Sequence, residues 1–101
     1  MAAAHAVLTD PRELRDLAGI GKSIEANLHS LGVTCVADLA LCDGDELYQR
    51  LCAQTGTRHD LCVLDTFRCA VAQARNPRLP AAQRDWWWWS RERKSGKLAD
   101  V

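Results

Sequence analysis

The chain has 101 residues, 48% apolar and 26% charged, with 13 basic and 13 acidic side chains; that suits one domain with a single core and is too small for two. No run approaches the roughly 20 apolar residues of a membrane-spanning helix, and the opening MAAAHAVLTD lacks the basic and apolar regions of a secretory signal. Five cysteines, an odd number without an export signal, read as reduced thiols of a cytoplasmic protein rather than as a disulfide framework.

Residues 1–9 are expected to form a flexible N-terminus. Asp10-Pro11-Arg12-Glu13 then has the features of a helix start: an Asp cap, Pro at the first position and Glu three residues after the cap. Leu14, Leu17 and Ala18 give this helix an apolar face for about two turns, until Gly19-Ile20-Gly21 stops it. A second helix from about Ser23 carries Ile24, Leu28 and Leu31 on one side and ends at Gly32. Thr34 can cap a short third piece, CVADLAL. Asp43 and Glu46 suit a capping box before ELYQRLCAQT, which Gly56 closes. Asp60 can cap the most apolar segment, LCVLDTFRCAVAQA, which Asn76-Pro77 ends.

No segment alternates convincingly with period 2, and no repeat of solenoid length is present. The expected fold is therefore all-α, a compact array of about five short helices over residues 10–75. Leu61, Leu64, Phe67, Ala70, Val71 and Ala74 make the last of these its centre.

The stretch from Leu14 to Val33 is the most informative. Two Gly flanking an apolar residue, between two amphipathic helices, describe a tight turn whose backbone N–H groups stay uncovered. Ile20 would point inward and pin that turn to the core. The start of the second helix adds its own unpaired N–H groups and the positive end of its dipole. Lys22 brings a full charge to the same spot and Ser23 a hydroxyl, which together make an anion site the size of one phosphate group.

The segment resembles a helix-hairpin-helix motif, with Gly19, Ile20, Gly21, Ala26, Leu28, Leu31, Gly32 and Val33 falling on its pattern. Ala18 stands where Pro or Val is more usual. The resemblance implies contact with the DNA backbone through the amides of the turn, without sequence reading. A hairpin of this kind that serves only as scaffold or protein contact is the competing reading. More widely, ELYQRLCAQTGTRHDLCVLDTFRCAVAQA and the Trp-rich segment after it are similar to the pathogenicity-locus family of small bacterial proteins. Many of these carry the label of mitomycin-resistance proteins. Asp65, where an aromatic is more usual, and an uninterrupted run of four Trp are departures.

Residues 1–74 carry six basic and ten acidic groups, a balance of −4, whereas residues 75–101 carry seven and three, a balance of +4. Residues 76–101 thus form a basic, Trp-rich segment, expected to be disordered from about Ser95. On a helix, Trp86, Trp87, Trp88 and Trp89 would cover every face, so one or two rings should brace the domain while the others meet solvent or a partner. Exposed rings could stack on unpaired bases while Arg91, Arg93 and Lys94 contact phosphates. They could equally anchor a protein partner.

Cys52, His59, Cys62 and Cys69 invite a metal reading. However, Cys62 and Cys69 stand seven apart on one helix, roughly 10 Å at about 1.5 Å per residue, and no CxxC or HxxxH pair exists. Buried structural thiols and no metal are the expectation. His5, His29 and His59 have no nucleophile or paired acid at a useful spacing, and no P-loop, triad or zinc-protease motif occurs. Taken with the helix-hairpin-helix resemblance, the sequence points to a non-enzymatic protein without cofactor, expected to bind DNA non-specifically through Gly19, Ile20, Gly21, Lys22 and Ser23, with the Trp-rich segment as a second contact. The alternative is a protein-interaction module with a structural hairpin.

Overall fold

In the computed structural model, residues 10–96 are described. Five α-helices follow in order: α1 Lys22–Ser30, α2 Val36–Ala40, α3 Gly44–Thr55, α4 Leu61–Arg75 and α5 Trp86–Lys94, with 3-10 turns at Leu14–Asp16 and Ala81–Arg84. No strand forms among the described residues, and none of their helices is long and apolar enough to cross a membrane. The all-α expectation holds. The expectations of a flexible start over 1–9 and of disorder towards the C-terminus fall largely outside the described residues.

The most apolar segment becomes the centre. Leu64, Phe67, Ala70, Val71 and Ala74 of α4 recur at helical spacing and are all buried. Leu28 of α1, Val36 and Leu39 of α2, and Leu47 and Leu51 of α3 join them in one cluster. Each such Leu or Phe contributes about 1.5–3 kcal/mol on burial. Helix ends follow the sequence closely. Gly32 at φ +87° and Gly56 at φ +69° take the left-handed conformation that closes a helix. The Asp43 carboxylate accepts from Asp45 N–H at 3.0 Å, and that of Asp60 from Cys62 N–H at 2.9 Å. At Gly44 a Cβ atom would stand 2.9 Å from the Cα and N of Arg68, so the absence of a side chain lets α3 start against the backbone of α4.

Three expectations are corrected. The helix expected from Asp10 to Ala18 is only the 3-10 turn Leu14–Asp16, with Glu13 rather than Asp10 as its cap. Asp10 is taken by Arg12, whose guanidinium reaches both its oxygens and also bonds the carbonyls of Gln73 and Ala74 at 2.9 and 3.1 Å. A cation over the last carbonyls of α4 outweighs the local helix signal. The first arm of the expected hairpin is thus a single turn, and the fifth α-helix is the Trp-rich one. The third piece is capped at Cys35, not Thr34, a shift by one residue that leaves Val36 and Leu39 facing the core. Of the cysteines, only Cys69 is buried; Cys42, Cys52 and Cys62 are half-buried and Cys35 is exposed.

Candidate nucleic-acid interface

The turn from Leu17 to Ser23 is held from both sides. Leu17 and Ile20 are buried, so the chain must reverse between them, and Gly19 supplies the reversal at φ +87°. Gln73, buried in α4, grips the same turn. Its side-chain amide accepts from Ala18 N–H and donates to Ala18 C=O, both at 2.9 Å. This paired clamp satisfies a backbone that no strand or helix could serve.

Gly21 differs from Gly19. At φ −93° and ψ −170° it has ordinary extended backbone, not a conformation closed to other residues. A Cβ there would meet nothing within 4 Å, so neither conformation nor internal packing requires Gly. Gly21 is the N-cap of α1 and no side chain caps the helix. The first intrahelical bond runs from Glu25 N–H to Gly21 C=O at 3.0 Å. The N–H groups of Lys22, Ser23 and Ile24 therefore point out of the helix end without intrahelical acceptors. Gly19, Gly21, Lys22 and Ser23 are exposed and Ile20 is buried beneath them. Arg15 stands by the same helix end, 3.4 Å from Glu25.

The Trp-rich helix divides its rings as its pattern demands. Trp86 and Trp87 are exposed, at 37% and 48%, and tilted against each other with centroids 6.3 Å apart. Trp88 and Trp89 are half-buried in an edge-to-face pair at 5.1 Å, and Trp89 donates its indole N–H to Gln83 C=O at 2.8 Å. Arg91 lies over the Trp87 ring, 5.4 Å from its centroid. Arg91 and Lys94 are exposed. Arg93 is not available as the phosphate contact expected of it. Its guanidinium turns inward and pairs in two bonds, 2.8 and 2.9 Å, with the fully buried carboxylate of Asp65. This pair fastens α5 to α4.

Sequence reasoning did not bring the two regions together, but the fold does. Ala18 and Gly19 share a cleft of about 390 Å³ with Arg84, Asp85 and Trp86. Gln73 and Asp65 hold the two sides of this surface, and neither was singled out as a positioning residue. Their one sequence signal is polarity within an otherwise apolar helix.

The cysteine and histidine set does not converge on an ion site: among the described residues no three His, Cys, Asp or Glu side chains are grouped to hold one. His59 is held locally, its ring 2.8 Å from the Thr55 hydroxyl and its carbonyl accepting from the Tyr48 hydroxyl. Burial pushes the Cys69 thiol up to about 11, away from thiolate chemistry at neutral pH.

The sequence matches the family described as Pathogenicity locus over residues 8–95. It is also 41% identical over 86 residues to the mitomycin resistance protein McrB of Streptomyces lavendulae, covering 85% of this chain and 78% of that relative. No solved structure matches it.

Proposed function

The chain belongs to the pathogenicity-locus family, and we propose that it binds the DNA phosphate backbone, without sequence preference, through the turn from Gly19 to Ser23. The observation that carries this reading is Gly21. Its lack of a side chain serves neither the backbone conformation nor the packing of this fold. What it leaves open is the approach to the uncapped N–H groups of α1, beside the exposed charge of Lys22. An anion reaching that point meets donors, a helix dipole and an ammonium together. Affinity would be about 10⁻⁴–10⁻⁶ M at physiological salt and would fall steeply as salt rises. Phosphate contacts position a protein on DNA and carry no base discrimination.

The protein is on this reading a binding module rather than an enzyme, working in the bacterial cytoplasm. The name of the Streptomyces relative, a resistance protein, supports a DNA damage response as its setting. A protein-interaction module is the second reading, favoured by the exposed rings of Trp86 and Trp87.

Gly21→Asp separates the two. Asp is a better N-cap than Gly at an extended position, so α1 should hold or gain stability, while the carboxylate occupies the free donors and repels phosphate. The expected result is an unchanged or higher melting temperature with DNA binding lost. Unchanged DNA binding in this variant would refute the site.

A further inference from the structure

Trp86 stands where two clefts meet. On one side is the cleft shared with the Ala18–Gly19 turn; on the other a cleft of about 800 Å³ runs between α5 and the loop before α4, past Arg58, Leu61 and Lys94. We propose that Trp86 is the stacking platform for one unpaired base, and that the second cleft takes the strand leading away from it, so that the protein prefers DNA in which a single strand leaves a duplex. This rests on the backbone-binding reading above and adds the DNA structure to it.

Trp88 and Trp89 are engaged with each other and Trp89 with Gln83. Trp87 has Arg91 over its ring. Trp86 tilts against Trp87 with centroids 6.3 Å apart, but of the two exposed rings it is the one, at the first position of α5, that lines the cleft beside the phosphate-binding turn. Inside a duplex, bases are stacked on each other and present only their edges, so a ring placed beside a backbone contact has no base face to meet. A base released from pairing does offer one, and stacking on an aromatic side chain is tolerant of which base it is.

Charge supports the same occupant. Arg84 flanks the first cleft, and Arg58 and Lys94 flank the second; all three are exposed. The acids lining the clefts are Asp16 and Asp85 in the first and Asp60 in the second, each accepting a backbone N–H, from Glu13 at 2.7 Å, Trp87 at 3.2 Å and Cys62 at 2.9 Å, so the cationic surplus lies in the second cleft. What faces a ligand is an indole ring at the edge of a second cleft whose exposed cations outnumber its acids, a combination suited to a base followed by the phosphates of the strand leading away.

The test measures anisotropy of two labelled DNAs, a blunt duplex and the same duplex with an unpaired thymidine tail. The wild type should bind the tailed DNA roughly 5- to 150-fold more tightly, the equivalent of one stacked base. Trp86→Ala should bind both DNAs with the blunt-duplex affinity. Trp86→Phe should keep most of the gain and Trp87→Ala nearly all of it, with circular dichroism confirming that each variant is folded. Equal binding of the two DNAs by the wild type would overturn the inference, as would a gain that survives in Trp86→Ala; the ring would then be left as a protein contact. Either result, with binding still weakened in Lys22→Glu, would leave the backbone-binding reading intact. Failure of the wild type to bind either DNA at low salt would overturn both.

Discussion

Replacing Arg93 should take away a large share of the protein's stability, although the residue lies near the C-terminal end of the described chain. Asp65 is fully buried and the Arg93 side chain is 14% exposed, so their two hydrogen bonds, at 2.8 and 2.9 Å, lie almost out of water. In Arg93→Met the carboxylate stays buried without its guanidinium, a loss that costs about 3–5 kcal/mol. Proteins of this size have about 5–15 kcal/mol in total. With about 4–8 °C per kcal/mol, the melting temperature should fall by at least about 12 °C. The double variant Arg93→Met with Asp65→Leu removes both charges and should recover most of that loss, since an apolar pair of similar volume is often as stable as a buried ion pair. Thermal melts followed by circular dichroism on the wild type, both single variants and the double variant measure the coupling directly. A loss below about 1 kcal/mol in Arg93→Met, the range of exposed pairs, would refute this account of how α5 is fastened. So would a double variant as unstable as the worse single one.

Gly44→Ala should destabilise by about 1–3 kcal/mol through overpacking, because its Cβ would press on the Arg68 backbone 2.9 Å away; urea denaturation checks this. Gln73→Leu removes both bonds to Ala18 and should cost about 1–3 kcal/mol. Hydrogen exchange should show protection of the Ala18 amide lost, and DNA binding should weaken with it. For Cys69 the folded-state pKa, near 11, lies above the ordinary thiol value of 9.0. Its contribution to stability is therefore complete below about pH 9 and lost as pH rises towards 11, which Cys69→Ala should remove from the alkaline limb of a stability profile. At neutral pH, alkylation followed by mass spectrometry should label exposed Cys35 readily and Cys69 only on unfolding.

The parts of this fold that were legible in the sequence are those decided locally. Apolar spacing in α4 located the core, and Gly32, Gly56, Asp43 and Asp60 ended or began helices where their chemistry allows. The helix expected at Asp10 failed because its outcome is decided at long range. Arg12 finds its carbonyl acceptors on Gln73 and Ala74, sixty-one and sixty-two residues further on, and takes the Asp10 carboxylate with it. Asp65 and Arg93 show the same limit. A charged residue in the most apolar helix signals a buried partner, but nothing in local spacing says that the partner is on α5. At the candidate site, the turn and its charge could be read from Gly19, Gly21 and Lys22. The meeting of that turn with Trp86 could not, because it depends on how α5 packs across α4.

The central claim is that the turn from Gly19 to Ser23 holds a DNA phosphate. Fluorescence anisotropy of labelled duplex and single-stranded DNA across a salt series, with wild type and Lys22→Glu, tests it most directly. Affinity should fall log-linearly with salt, by about 0.9 in slope for each phosphate neutralised on duplex DNA. In Lys22→Glu binding should be weaker on every DNA and the slope shallower by about 1. Binding that is absent even at low salt, or that Lys22→Glu leaves unchanged, would contradict it.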